Sequence, residues 1–587
     1  MELQLELPCL DNYLESDEDV TIELLNALFY RITYNMPSTS LVYWLDKYSD
    51  HKQGNRMILA LATEGIIKTK IDYNYAEIEM SKEWLLANYT QTELDELILS
   101  NKLNKYLPLT KSKAKKAVAN QAKLESGIKA NGITRPGFAK AGHHTFKYDT
   151  DMMKKYRDEI VQFSIKAMVK MEEKLERSLR IPEGHDYGSI IEKAIDLIIA
   201  NEDEEYILGQ LIMDSRGRAI YETLKTIFNP ISNKMARALV IAPKQRVLAP
   251  DIDNAYLFIA ELYHGFNPDI PAKIEQGKEC YANRSLLDLD TTTEHGLDDL
   301  FENIWLERLY AELDALNNNR LHQVTTPLEV DFSSSNMVLI GLLLGYNSYV
   351  DANHYMWEVE GLTKKHVKFA QTPYVFGSQA SIKSLWSKNG LAYTAKQVDL
   401  MRYEQNQGKF SIANEFKDII INHCNPTAVM QLQVGNERFT VECNRHKNVG
   451  DTTKNYVVLD TATGKFKLIQ HTNTHKVPDL KQFKRYPVTG LIHNKDSQIL
   501  DNITQKMDWI IPIHDAGIVT WYGATEMRKH AVEEMQNTYN NRQEIVYNYL
   551  KSINLDQSGM VKYAKLLSKI TELNGNTAMN ISPYLLK

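Results

Sequence analysis

The chain predicts an α+β fold, mostly helical, with a small antiparallel sheet. Two observations carry this. Long stretches such as SKEWLLANYTQTELDELILSNKL and DMMKKYRDEIVQFSIKAMVKMEEKLERSLR repeat apolar residues every three or four positions, the period of a helix with one buried face. Short apolar runs before Asp331 and on both sides of His514-Asp515 have instead the length and flanks of strands.

At 587 residues the chain exceeds what one hydrophobic core serves, so two to four subdomains are expected. From about residue 20 to 105 the pattern reads as short amphipathic helices, giving a helical N-terminal domain over 1–110. Residues 111–150 carry lysines almost unopposed, with Gly and Pro that mark a basic linker or loop. A surface touching nucleic-acid backbone and a solvated linker explain that segment equally. A long helix follows within 151–205, ending before Pro182, and the C-terminal region 526–587 is again helical. No internal repeat stands out.

Composition excludes several classes. No apolar run approaches the roughly 18 to 20 residues that span a bilayer, and the first twenty residues lack the basic-then-apolar plan of a secretion signal. The expectation is a protein with no membrane partner, at work in the cytoplasm. Cys9, Cys280, Cys424 and Cys443 have no CxxC or CxH spacing, which argues against a zinc site or a disulfide framework. A formal charge of -7 weighs mildly against nucleic-acid binding, though local clusters can outweigh a total.

Every chemically suggestive motif falls between about 205 and 525. First comes Asp214-Ser-Arg216-Gly-Arg218, then Phe228-Asn-Pro230 and Asn233. Two arginines around a glycine suit phosphate oxygens, because the fork of donors meets them where the backbone can pass close. A turn with exposed arginines fits as well. Next, Leu-Glu-Val-Asp331 precedes Asn336 and the apolar run MVLIGLLLG. A strand that delivers a carboxylate at its end and turns into a buried helix is a rigid mount for a metal ligand, although Asp331 could equally cap that helix.

Lys364, Lys368, Thr372 and Phe376-Gly377 follow at steps of four, which places two cations, a small polar residue and a ring on one helical face. Such a face suits a nucleoside triphosphate, and an ordinary amphipathic helix has the same spacing. Pro373 should kink it. His493 lies in Gly-Leu-Ile-His-Asn-Lys-Asp496, where a structural histidine is the plain alternative. Last, Ile-Ile-Pro-Ile-His514-Asp515-Ala516-Gly-Ile-Val reads as a hairpin with a carboxylate at its tip, and a buried aspartate there needs a partner or a metal.

In this order the motifs resemble those of the single-subunit, DNA-directed RNA polymerases of phages and mitochondria, relatives of the family A DNA polymerases. The resemblance covers roughly residues 205 to 525. It implies a right-hand polymerase fold of palm, fingers and thumb. The thumb-like helix would lie in 151–205, the palm in 206–345 and 491–525, and the fingers in 346–490. It also implies that Asp331 and Asp515 hold two Mg2+ ions, that Lys368 and Lys364 neutralise the triphosphate beside Thr372, Phe376 and Gly377, and that Arg216 and Arg218 hold nucleic-acid backbone. The partners implied are a DNA template, ribonucleoside triphosphates and an RNA product, in a phage-infected bacterial cell.

Three positions bear on the sugar. The DNA polymerases place Glu where this chain has Asn336, and follow His-Asp with Glu where it has Ala516. His493 matches the residue that meets the 2′-hydroxyl in the RNA enzymes. Phe376 departs, since the RNA enzymes have Tyr there, and leaky sugar selection is expected. Strand alternation around Gly435-Asn436 and Thr463-Gly464 predicts hairpins in the interval where the RNA enzymes read promoter DNA; Arg438, Arg445, Lys447 and Lys454 are candidates for that contact. The short N-terminal region suggests an accessory protein for promoter recognition or a single-stranded template. A family-A-like or primer-making DNA polymerase, and a silent nucleic-acid-binding relative, are the competing readings.

Overall fold

The computed structural model describes residues 54–72, 75–81, 83–84, 87, 107, 109–110, 145–165, 187–208, 211–213, 219–221, 228–231, 233–264, 269–287, 294–318, 323–331, 335–351, 358–378, 380–425, 429–434, 437–442, 446–461, 463–478, 487–513 and 516–581. In chain order the first elements are α1 (Gly54–Thr63), β1 (Ile67–Asp72), β2 (Tyr75–Met80), β3 (Leu109–Thr110), β4 (Lys147–Tyr148), α2 (Thr150–Lys155), α3 (Tyr187–Ala200), β5 (Tyr206–Ile207), β6 (Leu211–Met213) and β7 (Ala219–Tyr221). There follow α4 (Lys234–Leu239), β8 (Val240–Ile241), β9 (Gln245–Arg246), α5 (Ala249–His264), α6 (Ile270–Ala282), α7 (Glu294–Asn317), β10 (Gln323–Val324), β11 (Leu328–Asp331), α8 (Ser335–Leu344), α9 (Lys364–Val375), α10 (Ile382–Lys388), α11 (Ala395–Asn406) and α12 (Ser411–His423). The last are β12 (Val429–Val434), β13 (Glu437–Glu442), β14 (His446–Asp460), β15 (Lys465–Pro478), α13 (Pro487–Lys506), β16 (Ile510–Ile513), β17 (Ala516–Val519), α14 (Trp521–Asn540), α15 (Arg542–Ser552) and α16 (Gln557–Asn574). The fold is α+β, mostly helical, with small antiparallel sheets, as expected. No helix among the described residues is long and apolar enough to cross a membrane.

The chain forms two compact units. One gathers residues 1–107, 156–197 and 447–477; the other gathers 108–155, 198–446 and 478–587. In the first, β1 and β2 form an antiparallel hairpin from Ile67↔Met80 to Asp72↔Tyr75. This corrects the all-helical reading of 1–110. IKTKID and YAEIEM alternate apolar with polar residues, the period of a half-buried strand, and that period prevails over the helical pattern assigned across the segment. The long helix expected from residue 151 is likewise interrupted: α2 stops at Lys155, Tyr156 forms a turn, and helix resumes over 157–165. The hairpin β14–β15 belongs to this first unit, whereas β12–β13 belongs to the second, so the interval 346–490 is not a single body. The predicted linker 111–150 ends in structure too, since β4 pairs with β8.

The second unit is organised around a three-stranded antiparallel sheet in the order β11-β17-β16. Helix α8 is buried on nearly every side, with Met337 to Ile340 and Leu342 to Leu344 at most 3% exposed, so it can only be a core helix. It packs against α13, α14 and α15. Behind the sheet, α14 lies so close to β17 that a Cβ on Gly517 would come within 2.9 Å of the Met527 sulfur and 2.7 Å of Ile510 Cδ1. Only glycine leaves that gap free.

Candidate functional site

Strand β11 alternates: Leu328 and Val330 are buried, while Glu329 and Asp331 are half-buried on the opposite side. Successive side chains of a strand point to opposite faces, so the two carboxylates share one face. The register then places Asp331 directly across from Ala516, and Ala516 in turn across from Ile513. Between Ile513 and Ala516 the chain has only His514-Asp515, which lie outside the described residues. The hairpin predicted at that point is present, and the sheet joins it to the strand that ends at Asp331. Ala516 is small, 4% exposed, and faces Asp331 across the ladder. A glutamate at 516 would set two like charges opposite each other, a destabilising arrangement.

Three side chains pin β11 in place. The Trp521 indole N–H donates to the Thr326 carbonyl at 2.8 Å, and that of Trp305 donates to the Pro327 carbonyl at 2.7 Å. Both rings are buried. Arg237 Nη1 donates to both oxygens of Glu329, at 3.0 and 3.2 Å. Nothing in sequence spacing announces these residues, because each acts across a long stretch of chain. The Phe228-Asn-Pro230 segment feeds into the same support. Asn229 Oδ1 accepts from the Ile231 amide, Asn233 caps α4 by accepting from the Met235 amide, and Arg237 donates back to the Pro230 and Ile231 carbonyls.

Helix α9 carries the second group. Thr363 caps its start, accepting from the His366 amide, and His366, Val367, Ala370, Gln371 and Val375 form its buried side. On the other side Lys364 and Lys368 are exposed, and Thr372 and Phe376 are half-buried, so the face runs from cations in water to a ring at the protein edge. Pro373 sits inside the helix, in its last turn, and the helix runs on to Val375. The Ser378 amide donates to the Pro373 carbonyl at 2.8 Å and the Gly377 amide to the Tyr374 carbonyl at 3.0 Å. This is a Schellman termination, which needs a left-handed residue, and Gly377 supplies it with φ +75°. The glycine after the aromatic residue is therefore explained by the backbone alone.

Phe376 meets His493. Their ring centroids are 5.1 Å apart with planes at 77°, an edge-to-face contact between two positions singled out independently in the sequence. His493 is 6% exposed and lies on α13, which packs against α8, α12 and β16. Two residues on, burial pulls the Lys495 ammonium below its ordinary value, with Glu534 opposing, and its Nζ donates to Gln498. Asn336 is half-buried in the first turn of α8.

One body therefore contains Asp331, Asn336, Lys364, Lys368, Thr372, Phe376, Gly377 and His493. Arg438 is on β13 of the same unit, but Lys447 and Lys454 are on β14 of the other. Arg216 and Arg218 fall between the paired residues Met213 and Ala219, and like Asp515 and Arg445 they lie outside the described residues. Among the described residues no three His, Cys, Asp or Glu side chains cluster as a metal site. Searches of the chain against protein-family models and against curated proteins find no match.

Proposed function

We propose that the chain is a DNA-directed RNA polymerase of the single-subunit type, adding ribonucleotides to an RNA 3′ end on a DNA template. The observation that carries this is the sheet register: Asp331 ends one strand directly opposite the residue that follows Asp515. The strand that ends at Asp331 and the strand that begins at Ala516 come from distant parts of the chain to one sheet, and the cation-to-aromatic face of α9 reaches His493 in the same body. In this reading the β11-β17-β16 sheet is the palm and α9 belongs to the fingers.

Phosphoryl transfer is mainly positioning and charge neutralisation. Asp331 and Asp515 would hold two Mg2+ ions, which supply charge stabilisation for the attacking and leaving oxygens. Lys368 and Lys364 offset the triphosphate, and Phe376 packs beside the sugar against His493. His493 gives the 2′-hydroxyl a partner that a deoxynucleotide cannot use. Arg216 and Arg218 grip nucleic-acid backbone.

Primer extension on single-stranded DNA with Mg2+, comparing ribonucleotides with deoxynucleotides, tests the reading. Ribonucleotides should be preferred, imperfectly because Phe376 lacks a hydroxyl, and Asp331→Ala or Asp515→Ala should abolish extension while leaving template binding intact. Strong deoxynucleotide preference would mean a DNA polymerase instead. Near wild-type extension by Asp331→Ala would remove the basis for the site.

A further inference from the structure

Strand β11 presents a second carboxylate on the face that bears Asp331. Glu329 is one pleat back on that face, its Cα roughly 7 Å from that of Asp331, and the residues opposite the two, Ile518 and Ala516, carry no charge. A cation held by Asp331 would therefore have one nearby carboxylate on this strand besides its own ligand. That carboxylate is occupied. Arg237 Nη1 binds both of its oxygens, while Nε and Nη2 are fixed on the Pro230 and Ile231 carbonyls at 2.8 and 3.1 Å. With all three nitrogens engaged and a side chain only 15% exposed, the guanidinium has no slack to release Glu329.

Resting on the polymerase reading, we propose that Arg237 is a positioning residue that withholds Glu329 from a divalent cation held at Asp331. A loosely liganded magnesium exchanges its waters and phosphates readily, whereas a further carboxylate from the same strand would hold the ion tightly and draw it along the strand. The position of the ion relative to the attacking oxygen depends on that restraint.

Mn2+ is the probe, titrated into the full-length chain with free ion read by electron paramagnetic resonance, for wild type, Asp331→Asn, Glu329→Gln, Arg237→Gln and the double variant. Glu329→Gln should bind Mn2+ more weakly by up to about tenfold, because it leaves the Arg237 guanidinium uncompensated. Arg237→Gln should bind about tenfold more tightly, the gain expected for one added carboxylate about 7 Å from a dication in a water-like dielectric. The double variant should return to wild type. Unchanged affinity in a folded Arg237→Gln overturns the proposal, and so does a double variant that binds about tenfold more weakly than wild type, which would make Glu329 a ligand. Glu329→Gln keeps one acceptor for Arg237 Nη1, its amide oxygen, and binding more than about a hundredfold weaker than wild type there overturns the proposal even where Arg237→Gln does not fold. Asp331→Asn separates the two claims. If it abolishes tight binding while Arg237→Gln matches wild type, only the role of Arg237 falls; if it changes nothing, the ion is elsewhere and the polymerase reading falls as well.

Discussion

The contact between Phe376 and His493 can be tested as energy and as specificity in one set of variants. An edge-to-face pair at 5.1 Å and 77° lies inside the range where aromatic pairs contribute about 0.5–1.5 kcal/mol beyond area burial. Phe376→Leu removes the ring but keeps most of the apolar contact, and His493→Ala removes a side chain only 6% exposed. Each single change should cost about 1–3 kcal/mol, and the double variant should cost about 1 kcal/mol less than their sum. Urea-unfolding midpoints of the four proteins give the cycle. Additivity within about 0.3 kcal/mol would refute an energetic contact. Phe376→Tyr then asks what the position reads. A neutral hydrogen bond is worth about 0.5–1.5 kcal/mol net, so a hydroxyl beside the ribose should raise the preference for ribonucleotides by roughly 2- to 13-fold in primer extension. His493→Ala should lower it. A sugar ratio unmoved by either substitution would refute the assignment of this pair to sugar selection.

Two further outcomes follow from the same body. Gly377→Ala forces a Cβ into a backbone with φ +75° and should cost about 1–2 kcal/mol in urea unfolding; an unchanged midpoint would show that α9 does not end as described. For Lys495, burial depresses the folded-state value below the unfolded value of about 10.4. The unfolded chain therefore binds the proton more tightly, so stability is lowest below the folded value and rises as pH climbs toward the unfolded one. Lys495→Met should raise the urea midpoint at neutral pH and flatten that rise, and a variant whose rise matches wild type would refute the burial argument.

Much of this site is legible in the sequence because its local signals are strong. The carboxylate at the end of β11, the wholly apolar α8, the hairpin around His514-Asp515 and the four-residue steps of α9 all depend on short-range periodicity, and the described residues follow it. Legibility fails where two periods compete or where partners are distant. IKTKID and YAEIEM alternate, but the chain between them, Tyr73-Asn74, lacks the glycine that usually marks a tight turn, and the surrounding helical pattern masks the strands. Trp305, Trp521 and Arg237 leave no trace, since an indole that reaches a carbonyl, or a guanidinium that reaches a carboxylate, far along the chain has no spacing to read. Pro373 is plain in the sequence, but its consequence depends on lying in the last turn rather than the middle of α9.

The pairing of Asp331 with Ala516 also sets a schedule for the molecule's own synthesis. Residues 332–515 leave the ribosome after the first carboxylate and before its partner strand, and a ladder spanning so much chain cannot close until nearly all of it has been made. A nascent or truncated chain that ends before Ala516 has helices to fold but no complete sheet edge. The sheet edge at Asp331 is therefore completed only after Ala516 has been made, a constraint written into strand order.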